Sequence, residues 1–205
     1  MISKEDSILL SAEKLFAEKG FEGTSTREIS KAANANISMI AYYFGSKEKL
    51  LERIFEYRMK ESVNFATTLL QRQNISAWQK MELMIDRYVD RVIVLKDFYL
   101  LLQREKINLT NPAIVKIIES YRAEFLKMYR QVIDEGVKNK LFKNNAPLEF
   151  IHYTVTGTLF TSVNALQLKK ISLNYTENEE QKFYKQLKKH LKTILKHLLE
   201  YEADM

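Results

Sequence analysis

Apolar positions recur along this chain at intervals of three and four residues for most of its length, the spacing of helices that bury one face. Ile8, Leu9, Ala12, Leu15 and Phe16 form the first such stripe, predicting a helix over 3–19. Ser3 stands ready to cap it with Asp6 three residues on. Gly20 occupies the position beyond its end, and Phe21 is placed to fold back on Phe16. Ser25-Thr26-Arg27-Glu28 is a capping-box sequence, so a second helix is predicted from there to Ala33, with Asn34 suited to the left-handed turn that ends it. Asn36 caps a third, over 37–44, which Gly45-Ser46 stops, and Ser46 caps a fourth. Four starts within fifty residues, two of them parted by a turn of about three residues, make a helix-turn-helix layout.

Beyond Lys47 the pattern lengthens. Helices are predicted over 47–71 and 76–96, followed by shorter helical turns around 98–105. A long helix opened by Pro112 runs to Asn139, with Ile114, Ile117, Ile118, Tyr121, Phe125, Met128 and Val132 on one face. Residues 141–146 read as a loop, Pro147 opens another helix, 171–178 reads as a second loop, and a last helix covers 179–202. From Phe150 to Leu168 there is no Asp, Glu, Lys or Arg. A helix with a wet face normally carries charge there. Its Thr, Ser, Asn and Gln residues argue against lipid. Burial on two opposite faces, one against a second copy of the chain, accounts for the pattern, a central core helix of a monomer being the alternative. Gly157, Thr161 and Asn164 of this helix, with Leu187, Leu191, Ile194 and Leu198 of the last one, are the expected dimer interface.

Composition narrows the class. Five Gly and two Pro in 205 residues are too few for turn-rich β architectures, so the fold is expected to be all-α. With no Cys, disulfides, thiolate chemistry and Cys-bearing zinc sites are excluded. The first residues carry acids at once, and apolar runs such as Val92–Leu95 and Phe98–Leu102 are far short of a bilayer span, so no membrane association is expected and the location is expected to be cytoplasmic. The net charge of +6 divides as +1 over 1–60, +3 over 61–167 and +2 over 168–205. No segment is a basic tail, so a nucleic-acid partner must be recognised by the placement of donors.

Catalytic constellations are missing from the sequence: there is no H-E-x-x-H, Gly-rich phosphate loop or G-x-S-x-G elbow. Glu149 and His152 supply one E-x-x-H half-motif, whereas di-iron bundles need two plus further Glu residues. The reading is a non-enzyme without cofactor or metal, a helical metalloenzyme around Glu149 and His152 being the remote alternative. The N-terminal segment carries chemistry of another kind. The first turn of the third helix presents Asn36, Ile37, Ser38 and Met39, two able to hydrogen-bond base edges and two able to meet a thymine methyl. Thr26, Arg27, Tyr42, Tyr43 and Lys47 surround it as phosphate partners near helix N-termini. Ile40 and Phe44, four apart, belong to the core of this small segment.

The run LFAEKGFEGTSTREISKAANANISMIAYYFGSKEKL resembles the DNA-binding domain of the tetracycline-repressor (TetR/AcrR) family of bacterial regulators, over residues 5–55. The resemblance implies a homodimer of nine or ten helices per chain. A three-helix DNA-binding domain would occupy 1–47, with the fourth helix as connector, and 48–205 would bind an effector and dimerise. Carried over by position, DNA contacts fall on Thr26, Arg27, Ile37, Ser38, Met39, Tyr42, Tyr43 and Lys47. Two positions depart from the family pattern: Asn34 replaces the usual turn Gly, and Ala41 replaces a Tyr that touches phosphate in many members, a loss that Tyr42 would offset. The function implied is a repressor released from a palindromic double-stranded operator by a small hydrophobic or aromatic effector. Tyr88, Phe98, Tyr121, Phe125, Met128, His152 and Phe160 are its candidate pocket residues. A DNA-binding adaptor without effector is the alternative.

Overall fold

The computed structural model describes residues 3–143 and 146–202, so the loop expected over 141–146 lies outside the described residues at 144 and 145. Among the described residues the secondary structure is helical: α1 (Lys4–Lys19), α2 (Thr26–Ala32), α3 (Ile37–Phe44), α4 (Lys47–Leu70), α5 (Ala77–Val94), α6 (Lys96–Asn108), α7 (Pro112–Lys138), α8 (Leu148–Leu173) and α9 (Glu177–Leu198). An all-α chain of nine or ten helices was the expectation from composition and resemblance. None of these helices is long and apolar enough to cross a membrane.

The first three helices begin where short-range chemistry places them. Ser3 accepts from the Asp6 N–H, Ser25 and Glu28 close a reciprocal capping box, and Asn36 accepts from the Ser38 N–H. The turn after α2 takes Asn34 through φ +46°, the left-handed region that Asn tolerates. Gly20 has φ +80° with an extended ψ of 165°, so α1 does not end in a Schellman turn, but Phe21 still packs on Phe16 at 5.4 Å.

Two expectations about the later helices fail. α6 is one continuous helix rather than short turns, because Phe98, Leu101, Leu102 and Glu105 fall at helical spacing on a single buried face. α8 continues through Leu173 and α9 starts at Glu177, so most of the loop expected over 171–178 is helix. Thr176 and Glu179 set the true start of α9 with a second capping box.

The chain forms two compact units, 1–65 with 92–123, and 66–91 with 124–205. In this grouping 48–65 and 92–123 join the N-terminal helices. The core of the first unit is supplied by Ile8, Leu9, Ala12 and Phe16 of α1, by Ile29, Ile40 and Phe44, and by Leu50, Leu51, Ile54 and Phe55 of α4, all buried. Phe98 of α6 stands edge-on to Phe55 at 5.5 Å. In the second unit Phe142 is buried against Gly136, where an added Cβ would lie 2.1 Å from the ring. Tyr201 bridges to Phe142 and stacks on Trp78 at 4.8 Å, fastening the segment after α9 to α5.

Candidate nucleic-acid interface

Within the first unit α2 and α3 are locked to α1 from several sides. The Ser7 hydroxyl donates to the Ala33 carbonyl at 3.2 Å, and the Lys4 ammonium to the Asn34 carbonyl at 2.9 Å. Lys19 pairs with Glu28 at 2.6 Å. The Lys19 ammonium, helped by the N–H and hydroxyl of Ser25, holds the Glu28 carboxyl down at about 2, so the box at the start of α2 is charged at any physiological pH. These bonds hold the turn between the two helices and thereby fix the direction in which α3 points.

α3 divides cleanly. Ile40 and Phe44 are buried, and everything on the opposite side faces solvent. Asn36, Ile37 and Ser38 are exposed, Met39 is half-buried, Ile37 retains 49% of its surface and Tyr42 retains 82%. Tyr42 and Tyr43 stand edge to face at 5.0 Å, both open to solvent. Arg27 on α2 is exposed and Thr26, its first residue, is half-buried. An α3 that presents polar and apolar side chains from its first turn, flanked by hydroxyls and a guanidinium, has the form a major groove admits.

Lys47 departs from its expected role. Its ammonium donates to the carbonyls of Phe21 at 3.0 Å and Thr24 at 3.1 Å, and lies 4.1 Å over the Phe21 ring. The side chain braces the loop between α1 and α2, so its charge is turned toward the protein and not toward a phosphate. Lys49, one turn into α4, is exposed but paired with Glu52 at 2.7 Å.

One interaction of this unit escaped the sequence reading. Glu13 sits on the apolar face of α1 and meets Arg58 of α4 through two bonds, Nε–Oε2 at 2.7 Å and Nη2–Oε1 at 2.9 Å, with side chains only 7% and 10% exposed. The signal was present: an acid among Leu9, Ala12 and Phe16 needs a cation brought by another helix. Arg104 of α6 likewise donates to the Phe16 carbonyl at the end of α1.

The comparisons with known proteins take in this segment. The family described as "Bacterial regulatory proteins, tetR family" matches residues 8–54, the stretch that contains α2, α3 and the start of α4. A probable HTH-type transcriptional regulator of Bacillus subtilis, YttP, is 29% identical over 90% of this chain and 88% of its own length. The chain belongs to the TetR family of transcriptional regulators. Another relative, the transcriptional repressor NicS of Pseudomonas putida, is 31% identical over 68% of this chain and 66% of its own. Among solved structures, the regulator FadR of Bacillus subtilis in complex with stearoyl-CoA superposes with a TM-score of 0.71 at 18% identity, covering 95% of this chain and 97% of that one.

As a TetR-family regulator the chain was expected to carry an effector pocket and a dimer face. Of the candidate pocket residues, Phe98 and Tyr121 lie in the first unit, and Tyr88, Phe125, Met128, His152 and Phe160 in the second. Phe98 is spent on the core, buried between Phe55 and Tyr99. Met128 is buried, while Tyr88, Tyr121, Phe125, His152 and Phe160 are half-buried. An open cleft of about 480 Å³ in the second unit lies elsewhere, between Glu82 and Asp86 of α5 and the lysines of α9. Much of its charge is already matched: Lys192 pairs with Asp86 at 2.8 Å, Lys188 with Asp90 at 2.6 Å, and Lys196 lies over the Trp78 ring.

On α8 the expected two-faced pattern holds for the single chain on one side only. Ile151, Val155, Leu159 and Leu166 are buried, whereas Phe150, Tyr153, Gly157, Thr161, Asn164 and Leu168 form an uncharged exposed stripe. α9 requires a correction. Leu187 and Leu191 do not face outward: with Tyr184 and Leu195 they occupy the buried side of the helix, because the outer side is taken by Lys182, Lys185, Lys189 and Lys196. Ile194 and Leu198 stand half-buried at its edge.

Proposed function

We propose that this chain is a homodimeric repressor that occupies a palindromic operator and is released by a small hydrophobic or aromatic effector. The observation that carries the reading is the first turn of α3, with Asn36, Ile37 and Ser38 bare while Ile40 and Phe44 anchor the helix from behind. Residues 1–47 serve as the DNA-binding head, and 48–205 as the effector-binding and dimerising part. Thr26, Arg27, Tyr42 and Tyr43 position the head on phosphates, and Asn36, Ile37, Ser38 and Met39 meet base edges. Two heads read successive major grooves about 34–36 Å apart.

Dimerisation uses the uncharged stripe of α8 from Phe150 to Leu168, with Ile194 and Leu198 of α9 at its margin. An apolar, exposed and charge-free helix face on an otherwise charged surface is what a second copy would cover. The stearoyl-CoA held by FadR of Bacillus subtilis supports an apolar effector, for which Tyr88, Phe125, His152 and Phe160 of the second unit supply rings with two polar handles. A 100-fold loss of operator affinity requires the effector to favour the released state by about 2.8 kcal/mol.

Fluorescence anisotropy of the full chain on duplexes tiled across the DNA flanking its own gene tests the reading. Saturable binding to one inverted repeat is expected, weakened severalfold by Tyr42→Phe and abolished by Ile37→Glu. Equal affinity for every tile, unchanged by either substitution, overturns it.

A further inference from the structure

The capping bond of α3 fixes more than the start of the helix. The Asn36 side chain accepts from the Ser38 N–H at 3.0 Å and from the Ser38 hydroxyl at 3.0 Å. A backbone N–H can only donate, so the atom it meets is Oδ1, and with two donors in place that oxygen has both lone pairs occupied. What Asn36 turns outward is its NH2 group alone. The bond from Ser38 has the opposite effect on the neighbour: with its one hydroxyl proton used, Ser38 Oγ can only accept. Between them on the same exposed turn stands Ile37, an apolar side chain with half its surface open.

We propose that Asn36 selects guanine, and not adenine, in each half-site, and that the turn as a whole reads in the order donor, methyl, acceptor. The proposal rests on the assignment of α3 as the groove-facing helix. Asn specifies adenine by accepting from N6 while donating to N7, a pairing that needs a free Oδ1. Here that pairing requires the cap to open, at a cost of roughly 5-fold in helix stability. Guanine offers N7 and O6, two acceptors side by side, and matches a group that only donates. Ser38 Oγ accepts a hydrogen bond from a base amine, N6 of adenine or N4 of cytosine, and Ile37 meets the C5-methyl of thymine. The polarity of the whole readout is therefore set inside the protein, before any DNA is present, by one bifurcated acceptor.

Selection of bound duplexes from a random library by the full-length chain, followed by base-analogue replacement in the enriched half-site, tests this. A guanine is expected whose replacement by 7-deazaguanine weakens binding about 10-fold, whereas inosine, which keeps N7 and O6, leaves it unchanged. Asn36→Ser retains a capping oxygen and should melt at the parental temperature, while its shorter side chain, one bond less in reach, weakens the 7-deazaguanine effect. Asn36→Asp, an equally good cap without donors, must lose it. Replacing thymine by uracil should weaken the parent severalfold and leave Ile37→Ala unaffected. Sensitivity to 7-deazaadenine in place of 7-deazaguanine, weakened by Asn36→Ser, overturns the guanine assignment while leaving α3 in the groove. Failure to enrich any sequence overturns the groove assignment and this code together.

Discussion

Replacing Arg58 by Met is the sharpest perturbation of the first unit, because it removes one member of a charge pair and leaves the other stranded. Glu13 and Arg58 are almost wholly enclosed, and the carboxylate receives both of its bonds from the guanidinium. Removing one partner of such a pair costs about 3–5 kcal/mol, much of it the penalty of an uncompensated buried charge. Against a total stability of about 5–15 kcal/mol, that is a large share. With a urea slope of about 2–3 kcal/mol per molar, the unfolding midpoint should fall by about 1–2.5 M. Urea unfolding followed by circular dichroism at one fixed protein concentration reads the change, since the midpoint of any self-associating chain depends on concentration. The double variant Glu13→Leu, Arg58→Met should recover most of the loss, because an apolar pair of similar volume replaces the ionic one at little cost. A loss below about 1 kcal/mol for Arg58→Met alone would refute the reasoning, as it would place the pair among solvated surface bridges.

Four further outcomes follow from particular contacts. Gly136→Ala drives a methyl into the Phe142 ring and should destabilise the second unit by about 1–3 kcal/mol, with Phe142→Leu in the same chain relieving part of it; thermal unfolding checks both. Glu28 is held at about 2 against an ordinary 4.5, so its contribution is complete above pH 4.5 and lost as pH falls toward 2. The melting-temperature difference between parent and Glu28→Gln should therefore vanish over that window and stay constant above it. Lys47→Met removes the brace of the α1–α2 loop and should lower the melting temperature and DNA affinity together, without reducing the salt slope of binding by the full unit expected of a phosphate contact. Phe150→Glu with Leu168→Glu should convert the chain to monomer in sedimentation equilibrium while preserving its helical circular dichroism.

The N-terminal helices were legible because their boundaries are written in short-range chemistry. Ser3, the Ser25–Glu28 box, Asn34 and Asn36 act on backbone groups two to four residues away, and periodicity alone separates Ile40 and Phe44 from Ile37 and Tyr42. Where long-range packing decides, local pattern fell short. The continuity of α6 depends on Phe98, Leu101 and Leu102 being drawn onto a core made by α1 and α4, which no window of sequence contains. Lys47 is charged and beside a helix start, so it reads as a phosphate ligand; only the fold brings the Phe21 and Thr24 carbonyls to its ammonium. Leu187 and Leu191 lie on a stripe with Ile194 and Leu198, and a stripe one helix wide does not say whether its partner is the same chain or another. The aromatic residues proposed for the effector raise the same ambiguity, since rings at helical spacing serve cores and pockets alike, and Phe98 proved to be core.

Dimethyl sulfate protection on an enriched duplex bears most directly on the central claim, because the reagent methylates guanine N7 in the major groove and adenine N3 in the minor. If the leading turn of α3 lies in the major groove, guanine N7 atoms are protected in two clusters about one helical turn apart, and Ile37→Glu erases both. Protection confined to adenine N3, or no protection on a duplex that the chain demonstrably binds, would contradict the account.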